Sequence, residues 1–162
     1  MKKILLVLSL TLGTLVSNAQ NVSKHIDKYE NKISWMVTPS SLVYFQKTMN
    51  IGDTLENWDT YYVCFYTRDS YTTFSGKDAI ILFEDNTKME ITGDVDIKYY
   101  KPGIHEYSIS NFGKELIEKM STTKIKGYKM HVFEQNVPVS QRELIRNAAK
   151  KLLASNQSIV KK

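Results

Sequence analysis

The chain has 162 residues, with 22 Lys and Arg against 17 Asp and Glu and a single cysteine. That length suits one domain with an ordinary core. One cysteine rules out an internal disulfide, and basic residues scattered among acidic ones argue against the clustered positive face that nucleic acid requires.

The first residues follow a three-part plan. Lys2 and Lys3 are positive, Ile4 to Val16 is apolar apart from Ser9, Thr11, Gly13 and Thr14, and Ser17-Asn18-Ala19 supplies small residues before a cut after Ala19. The apolar run is shorter than the roughly 20 residues that cross a bilayer. The pattern predicts a cleavable signal peptide over 1–19 and a mature single domain over 20–162, secreted or periplasmic. It resembles the signal peptides of Gram-negative bacteria, in which Ala-Gln spans the cut, here Ala19-Gln20. Removing Lys2 and Lys3 lowers the formal charge from +5 to +3. No cysteine follows the apolar run to carry a lipid, and no second long apolar stretch predicts a membrane span.

Asn21 to Lys32 is polar, with Ile26, Tyr29 and Ile33 at helical spacing, and reads as a short helix or a loose arm. Trp35 to Val37 and Leu42 to Lys47 read as strands around the turn Thr38-Pro39-Ser40-Ser41, and Ile51 to Thr60 as a loop. Tyr61 to Thr67 and Ala79 to Phe83 are apolar on both faces, as in central strands covered on both sides. Asp85-Asn86 is a two-residue hairpin turn. Lys88 to Thr92 follows with Met89 and Ile91 inward, then Gly93-Asp94, then Val95, Ile97 and Tyr99 inward with Asp94, Asp96 and Lys98 outward. Lys101-Pro102-Gly103 is a turn leading to a strand over His105 to Ile109.

The period then changes. Phe112, Leu116, Ile117 and Met120 share one helical face, with Ser110 or Asn111 as the cap. Ile125 to Phe133 returns to strand, bulged at Gly127. Ser140-Gln141-Arg142-Glu143 has the form of a capping box, with Val139 and Leu144 as a hydrophobic staple. Leu144, Ile145, Ala148, Ala149, Leu152 and Leu153 form the apolar stripe of a final helix, on which Arg142, Arg146, Lys150 and Lys151 read as a solvated face; residues 155–162 fray. Short turns between successive strands predict antiparallel pairing. The fold class is α+β: one domain, a mostly antiparallel sheet of about six to eight strands, and two helices of the C-terminal half packed on it.

Chemistry is sparse. His25, His105 and His131 lie in separate elements without ligand spacing, and neither a metal nor a cofactor is expected. Asp94 and Asp96 share a strand face but lack the glycine and distal glutamate of a calcium loop. Ser110 with nearby His105 lacks a nucleophile elbow, Gly76-Lys77 lacks the rest of a phosphate loop, and Cys64 between apolar neighbours reads as buried and inert. Tyrosine stands out: Tyr62, Tyr66 and Tyr100, with Phe74, form a candidate binding face, because the phenol joins apolar area to a polar tip. The expectation is a non-catalytic binding module of the bacterial cell envelope for a protein, peptide or glycan. A small secreted hydrolase and a carrier of a small apolar ligand are the alternatives.

Overall fold

The computed structural model describes residues 21–29, 32–50, 60–68, 77–101 and 103–155, the side chains of 99–101 excepted. The expected signal over 1–19, most of the loop before Thr60, the tail beyond Ser155, and Phe74 and Gly76 lie outside the described residues.

Among the described residues, ten strands and two helices make up an α+β domain with its helices in the C-terminal half. Six strands form one antiparallel sheet: β1 (Ser23–Asp27), β2 (Lys32–Val37), β3 (Val43–Asn50), β4 (Thr60–Arg68), β7 (Val95–Lys101) and β8 (Ile104–Ile109), in the order β1-β2-β3-β4-β8-β7. The remaining four, β5 (Asp78–Phe83), β6 (Lys88–Thr92), β9 (Ile125–Met130) and β10 (Phe133–Asn136), form a second, ordered β10-β9-β5-β6. Helix α1 (Gly113–Thr122) leads into β9, and α2 (Val139–Ala154) closes the order. The segment read as a helix or loose arm contains an edge strand instead. Its residues from Ser23 to Asp27 pair with Met36 to Lys32, and the backbone ladder of β2 outweighs the weak helical spacing.

Alternation decides which side chains enter the core. On the large sheet, Trp35, Val37, Val43, Phe45, Val63, Phe65, Tyr107 and Ile109 all point inward and are buried. Leu116, Ile117 and Met120 of α1 and Ile145, Ala148, Ala149 and Leu152 of α2 meet them. Ile81, Phe83, Tyr128 and Met130 of the small sheet belong to the same core. The Phe65 and Tyr128 rings lie 4.7 Å apart. The Tyr128 hydroxyl donates to the Tyr66 carbonyl at 2.6 Å, tying the two sheets. Each fully buried Phe or Ile adds about 1.5–3 kcal/mol over exposure. One inward residue is charged: Lys47, only 1% exposed, holds its ammonium 5.7 Å from the Trp35 ring centre and 5.1 Å from that of Tyr61. The ring faces offset part of its desolvation.

Turn chemistry follows the sequence with adjustments. Four residues, Glu84 to Thr87, separate β5 from β6 rather than two. Asn86 N–H donates to the Phe83 carbonyl and Asn86 takes a φ of 63°, the left-handed position that asparagine tolerates. Asp85, accepting from the Thr87 hydroxyl and N–H and from Lys119, is held down to about 2. Register slips in β9 where Leu82 faces Gly127 and Phe83 faces Ile125, which places the anticipated bulge. A Cβ on Gly127 would sit 2.9 Å from the Gln135 carbonyl oxygen.

Both helix caps differ from the sequence reading. Ser110 and Asn111 do not cap α1 directly. They donate to Asp94 at 3.2 and 2.7 Å, and the other Asp94 oxygen accepts from Phe112 N–H at 3.1 Å. A carboxylate from the β6–β7 turn therefore sits at the positive end of α1, which is why Asp94 does not pair with Asp96 as an acid–base or calcium dyad. Asp94→Ala is expected to cost about 1–2 kcal/mol and Asp94→Asn less, read as urea midpoints. In α2, Pro138 occupies the N-cap, so Ser140 already lies inside the helix and makes no capping box. Glu143 instead pairs with Arg146 at 2.6 Å and Lys124 at 3.3 Å, and these cations hold its carboxyl below the usual range. Val139 stays exposed and forms no staple. Arg142 binds Glu84 and the Val137 carbonyl, so the basic stripe is not simply a solvated face.

Candidate functional site

The large sheet has a second face, formed by the residues that alternate with the core. No described helix or strand packs over it. Tyr62, Cys64 and Tyr66 of β4 lie on it, because Val63 and Phe65 turn inward. The register extends it sideways. Cys64 faces Tyr44 of β3 and Ser108 of β8, Tyr66 faces Glu106, Tyr62 faces Gln46, and Glu106 in turn faces Lys98 of β7. Towards β1 the face continues through Thr48 and Ser34 to His25, and through Lys32 to Asp27.

These side chains surround a cavity of about 320 Å³ with walls from all six strands. Its deepest part is a cluster of four polar groups. The Tyr44 hydroxyl donates to Glu106 Oε1 at 3.0 Å, and the Cys64 thiol donates to Ser108 Oγ at 3.5 Å. Glu106, Ser108 and Cys64 are all buried, at 7%, 8% and 1% exposure. Burial pushes the Cys64 thiol up. Burial, with Cys64 and Glu106 beside it, pushes the Tyr44 phenol far up as well. Both groups are therefore neutral and protonated across the physiological range. A thiolate nucleophile needs the opposite shift, so the inert reading of Cys64 agrees with its surroundings.

Tyr62 lines this cavity. Tyr66 stacks on Tyr44, ring centres 5.8 Å apart at 32°, and lines an adjoining hollow of about 250 Å³ with Thr38, Leu42, Arg68 and Ile104. Two of the four anticipated aromatics are thus on one face. Tyr100 belongs to β7, but its side chain lies outside the described residues, as does the whole of Phe74. Tyr44, Glu106, Gln46 and Ser108 were not anticipated. Alternation alone would have placed Tyr44 and Gln46 outward, between Val43, Phe45 and Lys47. That Glu106 meets Tyr44 depends on β8 pairing with β4, some forty residues earlier, which no local pattern carries.

Ser110 donates to Asp94 and has no role at the cavity. Among the described residues no three His, Cys, Asp or Glu side chains converge to hold a metal ion, and no helix is long and apolar enough to cross a membrane. No family model, curated protein or solved structure matches the chain.

Proposed function

We propose that the chain is exported, loses residues 1–19, and serves as a non-catalytic binding module of the bacterial cell envelope that holds a protein, peptide or glycan on the open face of its six-stranded sheet. One observation carries this reading. The face combines aromatic rings with hydrogen-bonding side chains around a cavity of about 320 Å³, within the size range of ligand sites, roughly 300–1,000 Å³. A thiol or phenol nucleophile would have to ionise there, yet Tyr44 and Cys64 are both held protonated. A carrier of an apolar ligand would need room between sheet and helices. That space is filled by side chains such as Phe45, Phe65, Ile117 and Leu152, each fully buried.

Native mass spectrometry of the protein taken gently from its own envelope tests the proposal. The expected mass begins at Gln20, with a bound partner or ligand that Tyr62→Ala releases. An uncut chain, or one whose bound molecule is unaffected by Tyr62→Ala, contradicts it.

A further inference from the structure

We infer that the molecule held on this face is a neutral, hydroxyl-rich glycan segment, gripped at Glu106 and Tyr44; the inference rests on the binding reading above and narrows it. Three features of the wall lead there.

The first is charge. Apart from His25, which faces Ser34, the wall's acidic and basic side chains fall in opposed pairs at two corners, Glu106 with Lys98 across β8–β7 and Asp27 with Lys32 across β1–β2. With histidine counted neutral these formal charges sum to zero, so the wall carries no net charge to favour an anionic or a cationic ligand. Between the corners the wall is uncharged: Ser34, Gln46, Thr48 and Ser108 each both donate and accept. Sugar hydroxyls have the same dual character.

The second is Glu106. Its carboxylate is 7% exposed and, among the described residues, accepts a hydrogen bond from Tyr44 alone. An ionised carboxylate has about four acceptor sites, and a buried one is costly until they are filled. Lys98, directly across on β7, forms no ion pair with it. Two neighbouring hydroxyls of a sugar ring can donate to the open oxygen sites in charge-assisted bonds, while the tilted Tyr44 and Tyr66 rings offer an apolar surface to the ring's C–H face.

The third is backbone geometry. Peptides join sheets at their edges, where main-chain groups are free. This cavity opens on a face whose ladders are already paired from β1 to β7, and it presents side chains only. Its volume admits a mono- or disaccharide unit rather than a folded partner.

The test exposes the chain starting at Gln20 to an array of neutral, acidic and amino oligosaccharides beside an array of random peptides, at low and high salt. The expected result is binding of neutral oligosaccharides with little salt dependence. Affinity should weaken about tenfold in Glu106→Gln and about threefold in Gln46→Ala, and hold in Lys150→Ala, on the exposed side of α2. Circular dichroism confirms folding, and the half-buried Gln46 keeps the test decisive if Glu106→Gln does not fold. Binding confined to charged glycans or peptides, lost in Tyr62→Ala, overturns the glycan assignment and leaves the binding module standing. Neutral glycan binding indifferent to Glu106→Gln and Gln46→Ala places the site elsewhere and also overturns the inference. Silence on both arrays from folded protein overturns the inference and the binding reading together.

Discussion

Gly113→Ala is expected to destabilise the domain by about 3 kcal/mol, the upper part of the range for forced overpacking, and to lower Tm by about 10 °C. Gly113 opens α1 at the point where the helix touches β4. A Cβ there would fall far inside van der Waals distance of the Tyr61 carbonyl oxygen and against the carbonyl carbon behind it. Backbone cannot rotate aside as a side chain can, so the helix must lift from the sheet. The Leu116, Ile117 and Met120 contacts with the core would loosen with it. Gly93 is the control: it sits at φ 79° with nothing within 4 Å of an added Cβ, so Gly93→Asn costs only its conformational strain, under about 1 kcal/mol. Thermal and urea unfolding of the two variants beside the parent decide the matter. Equal melting of Gly113→Ala and the parent would mean that α1 does not approach β4 this closely. A lifted helix also disturbs Tyr61 and its neighbour Tyr62, so ligand retention on the far face should weaken in Gly113→Ala although the glycine touches no part of the cavity.

How far the fold is legible in the sequence depends on the range of the forces involved. Period-two alternation is local, and it places β2 to β8 within three residues of their observed bounds and the inward set Val95, Met89 and Ile91 on the observed face. The bulge at Gly127 is legible because a glycine interrupting an alternating run leaves one face without a side chain and lets a second backbone come close. The caps are not legible, because the group at the α1 N-terminus comes from Asp94, eighteen residues before Phe112. Division of the strands into two sheets is equally hidden. β7 follows β6 after a short turn, yet the two join different sheets, because β7 pairs with β8 and β6 with β5. The site shows the same split. Tyr62 and Tyr66 announce themselves as outward aromatics on an apolar strand, whereas Glu106 becomes part of a site only when β8 is set beside β4. Lys47, a lysine at an inward position, gives no local signal, because its accommodation depends on Trp35 and Tyr61 from two other strands.

Stability should fall steeply with alkali, from about pH 9 upwards. Three protonated groups are kept from ionising chiefly by burial: the Cys64 thiol, whose ordinary value is 9.0, and the phenols of Tyr44 and Tyr128, ordinarily 10.0. All three shift upward, so the sign is the same for each. Below pH 9 the folded and unfolded chains hold these protons alike and no penalty arises. Above it the unfolded chain releases the Cys64 proton while the folded chain keeps it, and above pH 10 the tyrosines add to the imbalance. Each withheld proton tilts unfolding by about 1.4 kcal/mol per pH unit. Cys64 and Tyr128, at 1% and 2% exposure, approach that slope fully, and half-buried Tyr44, open to the cavity, adds a fraction. The combined tilt above pH 10 is then about 3 kcal/mol per unit, a large share of the 5–15 kcal/mol typical of a domain. Urea midpoints measured from pH 7 to 11 should be flat to about pH 9 and then drop in two stages. Cys64→Ala should delay the onset to about pH 10. Tyr128→Phe should soften the second stage while losing about 1 kcal/mol at neutral pH, since its hydroxyl no longer reaches the Tyr66 carbonyl. A midpoint constant to pH 11, or an onset unmoved by Cys64→Ala, would show that these groups ionise freely in the folded chain. Tyr44 and Cys64 at the base of the cavity would then have to be redrawn with charges on them, and the case for a neutral ligand on that face would weaken with it.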